Sequence, residues 1–318
     1  MTETEILVGD VGGTHARFAI VDISIEPWRI TRRIDLEAHF PQFEDAVRAC
    51  LDRIGSTPPA TAIAVAGPVT DGSATFTNRG WHASETALKR LGFKHALLIN
   101  DFAALAFGAL GLEPKALRTI GPELSGLEGE PFSIVGAGTG FGVSCLARFR
   151  GRQIPIASEG GHIGFAPSDR REIDVLGALS KRFGRVSVER ILSGPGLSNL
   201  HAALAEIGGH PVEALEAQEI QSRAESGDAL CAETISMFCA IFGSVAGDLA
   251  LAHGARGGVF IAGGVAQKME KHLAAGPFRD RFENKGRLQY YVKTIPTRLI
   301  VSEDVAFLGA ARASLEFR

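Results

Sequence analysis

Two glycine-rich segments, one near residue 10 and one near residue 140, restrict the folds that this sequence can adopt more than any other feature. Residues 9–14 read GDVGGT and residues 136–142 read GAGTGFG, and each segment directly follows a short apolar run. Glycine permits backbone conformations and close approaches that a side chain prevents, so both segments predict tight turns between two strands. Consecutive backbone N–H groups in such a turn can surround an anion, and a phosphate group is therefore the expected ligand.

The first turn differs from two common phosphate-binding sequences. Residues 9–14 lack the Gly-Lys-Ser/Thr ending of a P-loop, and a strand-like run follows them where a Rossmann turn requires a helix. A plain glycine hairpin is the alternative interpretation for either turn alone. Two such turns in matching positions instead suggest a nucleotide held between two related domains. Asp10, beside the glycines of the first turn, could hold a hydrated Mg²⁺ next to the phosphates.

The rest of the chain alternates between strand-like and helix-like segments, which predicts a layered α/β fold. At about 150 residues per domain, the length of 318 residues favours two domains. The predicted boundary is the segment 111–131, which is rich in Gly, Pro and Glu. Helices are expected over residues 43–54, 83–91, 102–110, much of 215–253, and 303–315, and strands over residues 62–66, 96–99, 132–135, 259–262 and 299–301.

Charge and cysteine content exclude several classes of protein. The chain has 33 Lys and Arg against 36 Asp and Glu, which argues against a nucleic-acid partner bound through phosphate neutralisation. Its four cysteines form no C-x-x-C pair, so neither a zinc cage nor a disulfide framework is expected, and a reducing cytoplasm fits. The N-terminus does not resemble a signal peptide, and no uninterrupted apolar run approaches 18 residues, so we expect no membrane partner.

Asn100 and Asp101 stand where a predicted strand ends and a predicted helix begins. In open α/β sheets, ligands bind at the edge formed by the carboxyl ends of the strands. Both residue types are also favoured at helix N-caps, and capping is the alternative interpretation. Beside two phosphate turns, Asp101 becomes the candidate general base, able to accept a hydroxyl proton during phosphoryl transfer.

Three further segments carry candidate ligand-binding residues. Glu159 and His162 enclose two glycines, which favours a loop that offers both side chains to hydroxyl groups over a helical metal-binding pair; a solvated loop is the alternative. Glu189, just ahead of the sequence LSGPG, would count as a surface charge if it stood alone. Residues 257–264 (GGVFIAGG) predict a buried strand between glycine pairs, where the backbone could approach adenine or ribose.

In this order, the motifs resemble those of the bacterial glucokinases, the ATP-dependent hexokinases of the actin-like sugar-kinase superfamily. The resemblance covers nearly the whole chain and rests on residues 9–14 with Arg17, 100–102, 136–142, 159–162, 187–196 and 257–264. It implies a two-domain actin-like (ribonuclease H-like) α/β fold with a ligand cleft between the domains. Residues 1–110 plus 302–318 would form a smaller α/β domain, and residues 111–301 a larger α+β domain that carries a homodimer interface.

The same resemblance implies a role for each candidate residue in the transfer of the γ-phosphate of ATP to the 6-hydroxyl of glucose, the entry step of glycolysis. Asp101 would be the general base. The sugar would be bound by Asn100, Asp101, Glu159, His162 and Glu189. ATP would be bound by Gly9, Asp10, Val11, Gly12, Gly13, Thr14, Gly138, Thr139, Gly263 and Gly264, with Mg²⁺ held mainly by the phosphates and Asp10 reaching it through water.

Two positions depart from the patterns of the superfamily. His15 follows Thr14 where the glucokinase loop usually continues with Asn. Residues 168–171 contain no cysteine, whereas the related repressor-and-kinase branch has a cysteine-rich zinc motif there, so no structural zinc is expected.

Other functions remain open at the level of sequence. The acceptor could be mannose, fructose or an N-acetylated amino sugar, and the donor ADP or polyphosphate. A sugar-sensing transcription regulator on the same fold would need an added helix-turn-helix, for which a first strand beginning by residue 5 leaves no room. An actin-like or chaperone-like ATPase scaffold would keep both turns but has no need of Asn100 and Asp101 together with Glu159 and His162.

Overall fold

The structure is a computed structural model that describes residues 4–12, 16–36, 40–76 and 80–317. The chain divides into two compact units. The first comprises Met1–Glu113, Pro155–Ala157 and Ser302–Arg318, and the second comprises Pro114–Ile154 and Ser158–Val301. Three residues of the predicted first turn, Gly13, Thr14 and His15, lie outside the described residues.

The strands and helices follow one another along the chain in a mixed order. The strands are β1 (Glu5–Val11), β2 (Ala16–Asp22), β3 (Arg29–Leu36), β4 (Ala60–Val65), β5 (Ser73–Phe76), β6 (Trp81–Ser84), β7 (His95–Asn100), β8 (Leu117–Thr119), β9 (Phe132–Ala137), β10 (Phe141–Phe149), β11 (Arg152–Ser158), β12 (Gly258–Ala262) and β13 (Thr297–Ile300). The helices are α1 (Phe43–Ile54), α2 (Glu85–Arg90), α3 (Asp101–Ala109), α4 (Arg170–Phe183), α5 (Gly194–Gly208), α6 (Ala217–Glu225), α7 (Ala229–His253), α8 (Gly264–Lys268), α9 (Glu270–Ala275), α10 (Phe278–Glu283), α11 (Gln289–Val292) and α12 (Val305–Glu316). Short 3₁₀ helices lie at Pro114–Ala116, Gly160–His162, Val188–Arg190 and Gly286–Leu288.

The first unit is built on a sheet with the strand order β3-β2-β1-β4-β7. Its central strand β1 is antiparallel to β2 and parallel to β4, and β4 is parallel to β7. Val11 lies opposite Val65, and Val65 lies opposite Asn100. With neighbouring strands about 4.8 Å apart, Asn100 is roughly 10 Å from Val11 at the same edge of the sheet.

Helices cover this sheet and bury its central strands. All six residues of β4 are buried, as expected for a parallel strand with both faces covered. Phe43 and Val47 of α1 join Ile63 in one apolar cluster, while α3 and α12 both contact β4. The helix near the C-terminus of the chain is therefore part of the core of the first unit.

Two glycines allow α3 and α12 to pack closely against each other. A Cβ atom on Gly309 of α12 would overlap the carbonyl oxygen of Ala104, and a Cβ atom on Gly108 of α3 would overlap that of Val305. The two backbones thus touch at positions where any larger residue would force them apart.

The second unit repeats the pairing pattern of the first. Its sheet has the order β11-β10-β9-β12-β13-β8, and its central strand β9 is antiparallel to β10 and parallel to β12. Ala262 lies opposite Gly136, so the turn after β9 and the residues after β12 leave the sheet at the same edge. The predicted internal similarity of the two halves is confirmed by this shared strand order.

The longest helix, α7, forms the centre of the second unit. By length and composition it is the one helix among the described residues that could span a membrane, but 67% of its most apolar stretch is buried inside the protein. It packs against α5, α6 and α10, and Phe238 and Phe242 are fully buried. α7 is therefore a buried helix in the core of the second unit.

Several predicted boundaries are corrected by the structure. Residues 81–84 form a strand, and α2 begins only at Glu85, because the Ser84 side chain caps the helix by accepting a hydrogen bond from Ala87 N (3.1 Å). The predicted linker 111–131 contains β8, which pairs with β13 as an edge strand of the second sheet. The predicted strands over residues 62–66, 96–99, 132–135 and 259–262 are confirmed within one or two residues.

Replacing Gly309 with alanine tests the close packing of α3 and α12. The added Cβ has no room beside Ala104, so we expect Gly309→Ala to lower the free energy of unfolding by about 1–3 kcal/mol in urea denaturation. The matched control is Gly177→Ala on α4, where nothing lies within 4 Å of the added atom. Because alanine is the better helix former, this control should be neutral or stabilising by up to about 1 kcal/mol. Equal stability of both variants would contradict the packing described above.

Candidate active site

Asn100 fixes the carboxylate of Asp101 at the carboxyl end of β7. The buried Asn100 side chain caps α3 by accepting a hydrogen bond from Ala103 N (3.1 Å), and its amide donates to Gly67 O (3.1 Å) and to Asp101 Oδ1 (3.0 Å). Phe102 N also donates to Asp101 Oδ1 (2.9 Å). Capping and ligand binding are therefore compatible, since the cap orients the candidate base.

The first glycine segment is more strand than turn. Gly9 and Val11 lie in β1 and are buried, whereas the sequence places them in the turn. A Cβ atom on Gly9 would lie 2.8 Å from Ile63 Cδ1 and 3.1 Å from Phe18 Cδ1, so glycine is needed here for packing within the sheet. Gly12 differs, because nothing lies within 4 Å of the position of its Cβ. Gly13 and Thr14 lie outside the described residues.

Asp10 forms an ion pair with Arg17 across the β1–β2 hairpin, where the two residues are opposite each other in register. The Asp10 side chain is 21% exposed, so the carboxylate still reaches solvent. Within the described residues, no group of three or more His, Cys, Asp or Glu side chains is arranged to hold a metal ion. A carboxylate of this kind fits a cation that takes most of its ligands from phosphate oxygens and water.

The second turn is a tight hairpin over residues 138–140, shorter than the glycine segment because Gly136 and Gly142 belong to strands. Gly138 N donates to Gly140 O (2.9 Å), and Gly138 O accepts from Gly194 N (2.8 Å). Thr139 is exposed at the tip of the turn, and nothing lies within 4 Å of the position of a Cβ on Gly138. The open side of the turn is therefore at Gly138 and Thr139.

The N-terminus of α5 lies against this turn, a feature for which the sequence analysis assigns no role. Ser193 caps the helix by accepting a hydrogen bond from Gly196 N (3.0 Å), and Pro195 occupies the first turn of the helix. The 15-residue helix directs the positive end of its dipole toward the turn. The N–H groups of Gly194 and Gly196 are already bonded, to Gly138 O and to Ser193 Oγ. The helix would therefore act on an anion through the positive end of its dipole. A Ser before Gly-Pro-Gly is the sequence signal that could have identified this N-terminus.

The two glycines that follow β12 serve different purposes. Gly263 has a φ of +94° and caps α8, and a Cβ atom there would overlap the carbonyl oxygen of Ala137. Its close approach is thus to the backbone of β9. Gly264 has no neighbouring atom within 4 Å of its Cβ position and is the open residue of the pair.

Glu159 precedes a single 3₁₀ turn that ends at His162, which confirms that this segment is not an α-helix. Their side chains are both more than half exposed, and Glu159 Oε2 lies 4.0 Å from His162 Nε2. The glycines between them pack on β10: a Cβ atom on Gly160 would lie 2.8 Å from Val143 Cβ, and one on Gly161 would overlap the carbonyl oxygen of Phe141.

Glu189 is brought to the same part of the second unit. Its Oε2 atom accepts a hydrogen bond from Phe141 N (2.8 Å), directly after the second turn. The segment before it is tied to the Glu159–His162 segment, because Arg185 donates to His162 O (2.6 Å) and Val188 N donates to Ile163 O (2.9 Å). Glu159, His162 and Glu189 therefore converge on the second turn, while Asn100 and Asp101 belong to the first unit.

The cysteines do not provide a nucleophile. All four are buried, and burial raises the pKa of Cys50 and Cys239 to about 12 and that of Cys231 to about 11. Burial also raises the pKa of Cys145. Each thiol is therefore protonated at neutral pH, which excludes thiolate chemistry.

The chain matches the family model described as Glucokinase over residues 7–316. It is 50% identical over 310 residues to the glucokinase of Caulobacter sp. strain K31, an alignment that covers 96% of this chain and 94% of the relative. The chain belongs to the glucokinase family. Its activity is that of a glucokinase, an ATP-dependent hexose kinase that phosphorylates glucose.

Solved glucokinases have the same fold. The glucokinase of an Antarctic psychrotroph superimposes with a TM-score of 0.90 at 34% identity, covering 98% of this chain and 99% of that one. The Balamuthia mandrillaris glucokinase, solved in complex with glucose, reaches a TM-score of 0.80 at 18% identity over 98% of this chain and 93% of its own. The predicted actin-like sugar-kinase fold and the family resemblance are thereby confirmed.

Proposed function

We propose that Asp101 is the general base of this glucokinase and that the acceptor is the 6-hydroxyl group of glucose. The observation that supports this role is the fixed orientation of the carboxylate, whose Oδ1 atom accepts hydrogen bonds from Asn100 and from Phe102 N. Asn100 is also in register with the end of β1, so Asp101 follows at the sheet edge where the first turn begins. A base at that edge is suited to a hydroxyl that attacks a phosphate held by the turn.

In the proposed reaction, the 6-hydroxyl oxygen attacks the γ-phosphorus of ATP and its proton passes to Asp101. The bond between the γ-phosphorus and the bridging oxygen breaks, so that the electron pair leaves with ADP. Phosphoryl transfer asks the protein mainly for positioning and for stabilisation of charge on the transferred group. The backbone of the two turns and the positive end of α5 would supply that stabilisation.

Glucose is proposed to be bound by Asn100, Asp101, Glu159, His162 and Glu189. The carboxylates accept hydrogen bonds from sugar hydroxyls, and the imidazole of His162 can donate or accept. Asn100 has committed both amide hydrogens to Gly67 and Asp101, so it would contact the sugar through its carbonyl oxygen while positioning the base.

The ATP site proposed here distinguishes open glycines from packed ones. The open Gly12, Gly138 and Gly264, with Thr139, would face the nucleotide, while the packed Gly9, Val11 and Gly263 would shape the turns from within. Gly13 and Thr14 keep their proposed role in phosphate binding. Asp10 would reach Mg²⁺ through water, and the ion would neutralise charge on the phosphates when bound.

The two units would be the two domains, with the predicted limits of residues 1–110 plus 302–318 and residues 111–301. We propose that the enzyme acts in the cytoplasm as a homodimer, with no nucleic-acid or membrane partner. The reducing environment suits its four free thiols.

The direct test of the proposed reaction is ADP production from Mg-ATP with and without sugar. We expect turnover to require a sugar and glucose to give the highest kcat/KM among glucose, mannose and N-acetylglucosamine. The phosphorylated position is identified by NMR of the product, where the 6-phosphate is expected. Turnover without sugar, or preference for another sugar, would contradict the proposal.

Removal of the proposed base should separate turnover from binding. We expect Asp101→Ala to lower kcat by about 10²–10⁴-fold, because the proposed acceptor of the hydroxyl proton is removed, while calorimetry finds glucose still bound. Asp52→Ala, which removes an exposed carboxylate on α1, serves as the matched control and should keep wild-type kcat. Near-wild-type turnover of Asp101→Ala would show that another group is the base.

Neutralising Glu189 should lower the affinity for glucose more than the affinity for ATP. In Glu189→Gln the amide oxygen can still accept from Phe141 N, but the charge offered to the sugar hydroxyl is lost. A hydrogen bond to a charged group contributes about 1.5–3 kcal/mol, so glucose affinity should fall roughly 10- to 100-fold with a smaller change for ATP. Calorimetric titration of each ligand measures both effects, and unchanged glucose affinity would count against Glu189 as a sugar ligand.

A further inference from the structure

The carboxylate of Glu189 is held against the phosphate-binding turn. Its Oε2 atom accepts from Phe141 N at 2.8 Å, and among the described residues Oε1 accepts no hydrogen bond. The backbone of Glu189 is held as well, since Ser193 Oγ donates to its carbonyl oxygen at 2.8 Å. Ser193 also caps α5, whose first N–H group holds Gly138 of the same turn. The side chain of Glu189 is thus bonded to the turn directly, and its main chain is connected to the turn through Ser193 and the first residue of α5.

Gly140 leaves room for this carboxylate. A Cβ atom at position 140 would overlap Glu189 Oε2, although the φ of Gly140 lies outside the left-handed region and suits alanine. Gly138, two residues earlier, has open space at its Cβ position. One glycine of the turn therefore makes room for the proposed phosphate, and the other makes room for a sugar-binding side chain.

The two peptide groups that flank Phe141 contact both segments proposed to bind the sugar, the one with Glu189 and the one with Glu159 and His162. The amide N–H of Phe141 is bonded to Glu189, and its carbonyl oxygen lies where a Cβ atom on Gly161, between Glu159 and His162, would have to stand. A displacement of the turn at Phe141 would therefore act on Glu189 through a hydrogen bond and on the Glu159–His162 segment through the contact at Gly161.

We infer that Glu189 is shared between the two substrates, with Oε2 positioning the phosphate-binding turn and Oε1 receiving a sugar hydroxyl. The inference rests on the proposed role of Glu189 in glucose binding and adds a consequence to it. Gly140, which lies in the nucleotide-binding turn, sets the affinity for glucose. Glucose bound at Oε1 fixes the carboxylate and thereby orders the turn, so glucose and ATP strengthen each other's binding. Coupling between sites is usually about 5- to 150-fold in affinity, and by linkage it is the same in both directions.

The sharpest test changes a residue of the phosphate-binding turn and measures the affinity for glucose. In Gly140→Ala the new methyl group displaces the end of a flexible side chain, so the protein should fold while Glu189 loses its bond to Phe141. We expect calorimetry without nucleotide to find glucose affinity lowered roughly tenfold. Gly138→Ala, in the same turn, should keep wild-type glucose affinity, and Gly177→Ala, remote on α4, should keep wild-type affinity for both ligands. Wild-type glucose affinity in Gly140→Ala would overturn the inference.

A second measurement tests the coupling itself. The affinity for a non-hydrolysable ATP analogue is measured with and without saturating glucose, and the ratio of the two values is the coupling factor. We expect a factor of roughly ten in the wild-type enzyme and a factor near one in Glu189→Ala and Gly140→Ala. Glu189→Ala should also bind the analogue more weakly in the absence of glucose, although this side chain is assigned no contact with ATP. An unchanged coupling factor in both variants would overturn the inference.

These outcomes are distinct from those that test the proposed sugar site. If Glu189→Gln binds glucose as the wild-type enzyme does, the proposed sugar contact is wrong and the inference fails with it. If Glu189→Gln binds glucose weakly while Gly140→Ala binds it normally, the sugar contact stands and only the shared role of Glu189 is wrong.

Discussion

One pairing pattern organises both sheets: a central strand that is antiparallel to the strand after it and parallel to a later one. β1 pairs in this way with β2 and β4, and β9 with β10 and β12. Because the hairpin turn follows the central strand, it leaves the sheet at the edge where the parallel strands also end. Asn100 reaches this edge in the first unit and Gly263 in the second. Within each unit, strand pairing therefore brings residues that are far apart in the sequence to the same edge of the sheet.

Among the described residues, some glycines allow close packing and others have open space beside them, and only open ones are proposed to face a ligand. Gly9 and Gly263 let strands approach one another, and Gly309 lets two helices touch. Gly140 makes room for the Glu189 carboxylate. Gly138 alone in its turn is open, as the proposed phosphate site requires. Glycines in these segments thus serve backbone packing as well as the proposed ligand binding.

Much of the fold and the residue types of the site could be predicted from the sequence, because hairpins, strand ends and caps leave local signals. α1 has its predicted limits, and each glycine segment lies at a pair of successive antiparallel strands, β1–β2 and β9–β10, as the sequence indicates. β8 could not be found, since its pairing partner β13 lies far along the chain and its own residues resemble a linker. The pairing of Asp10 with Arg17 and of Glu189 with Phe141 N also depends on the folded chain. A glycine in a sequence does not reveal which neighbour fills the space of its missing side chain.

The position of α12 has a consequence for how the protein is made. This helix belongs to the first unit, yet the ribosome synthesises it after the whole of the second unit. At about 5–20 residues per second, the first unit waits on the order of ten seconds or more for its final helix. Until then the face of β4 that α12 contacts and the glycine surface of α3 lack that partner, so the core of the first unit is completed only once α12 has been synthesised. The second unit, continuous in sequence apart from three residues, is free to fold first.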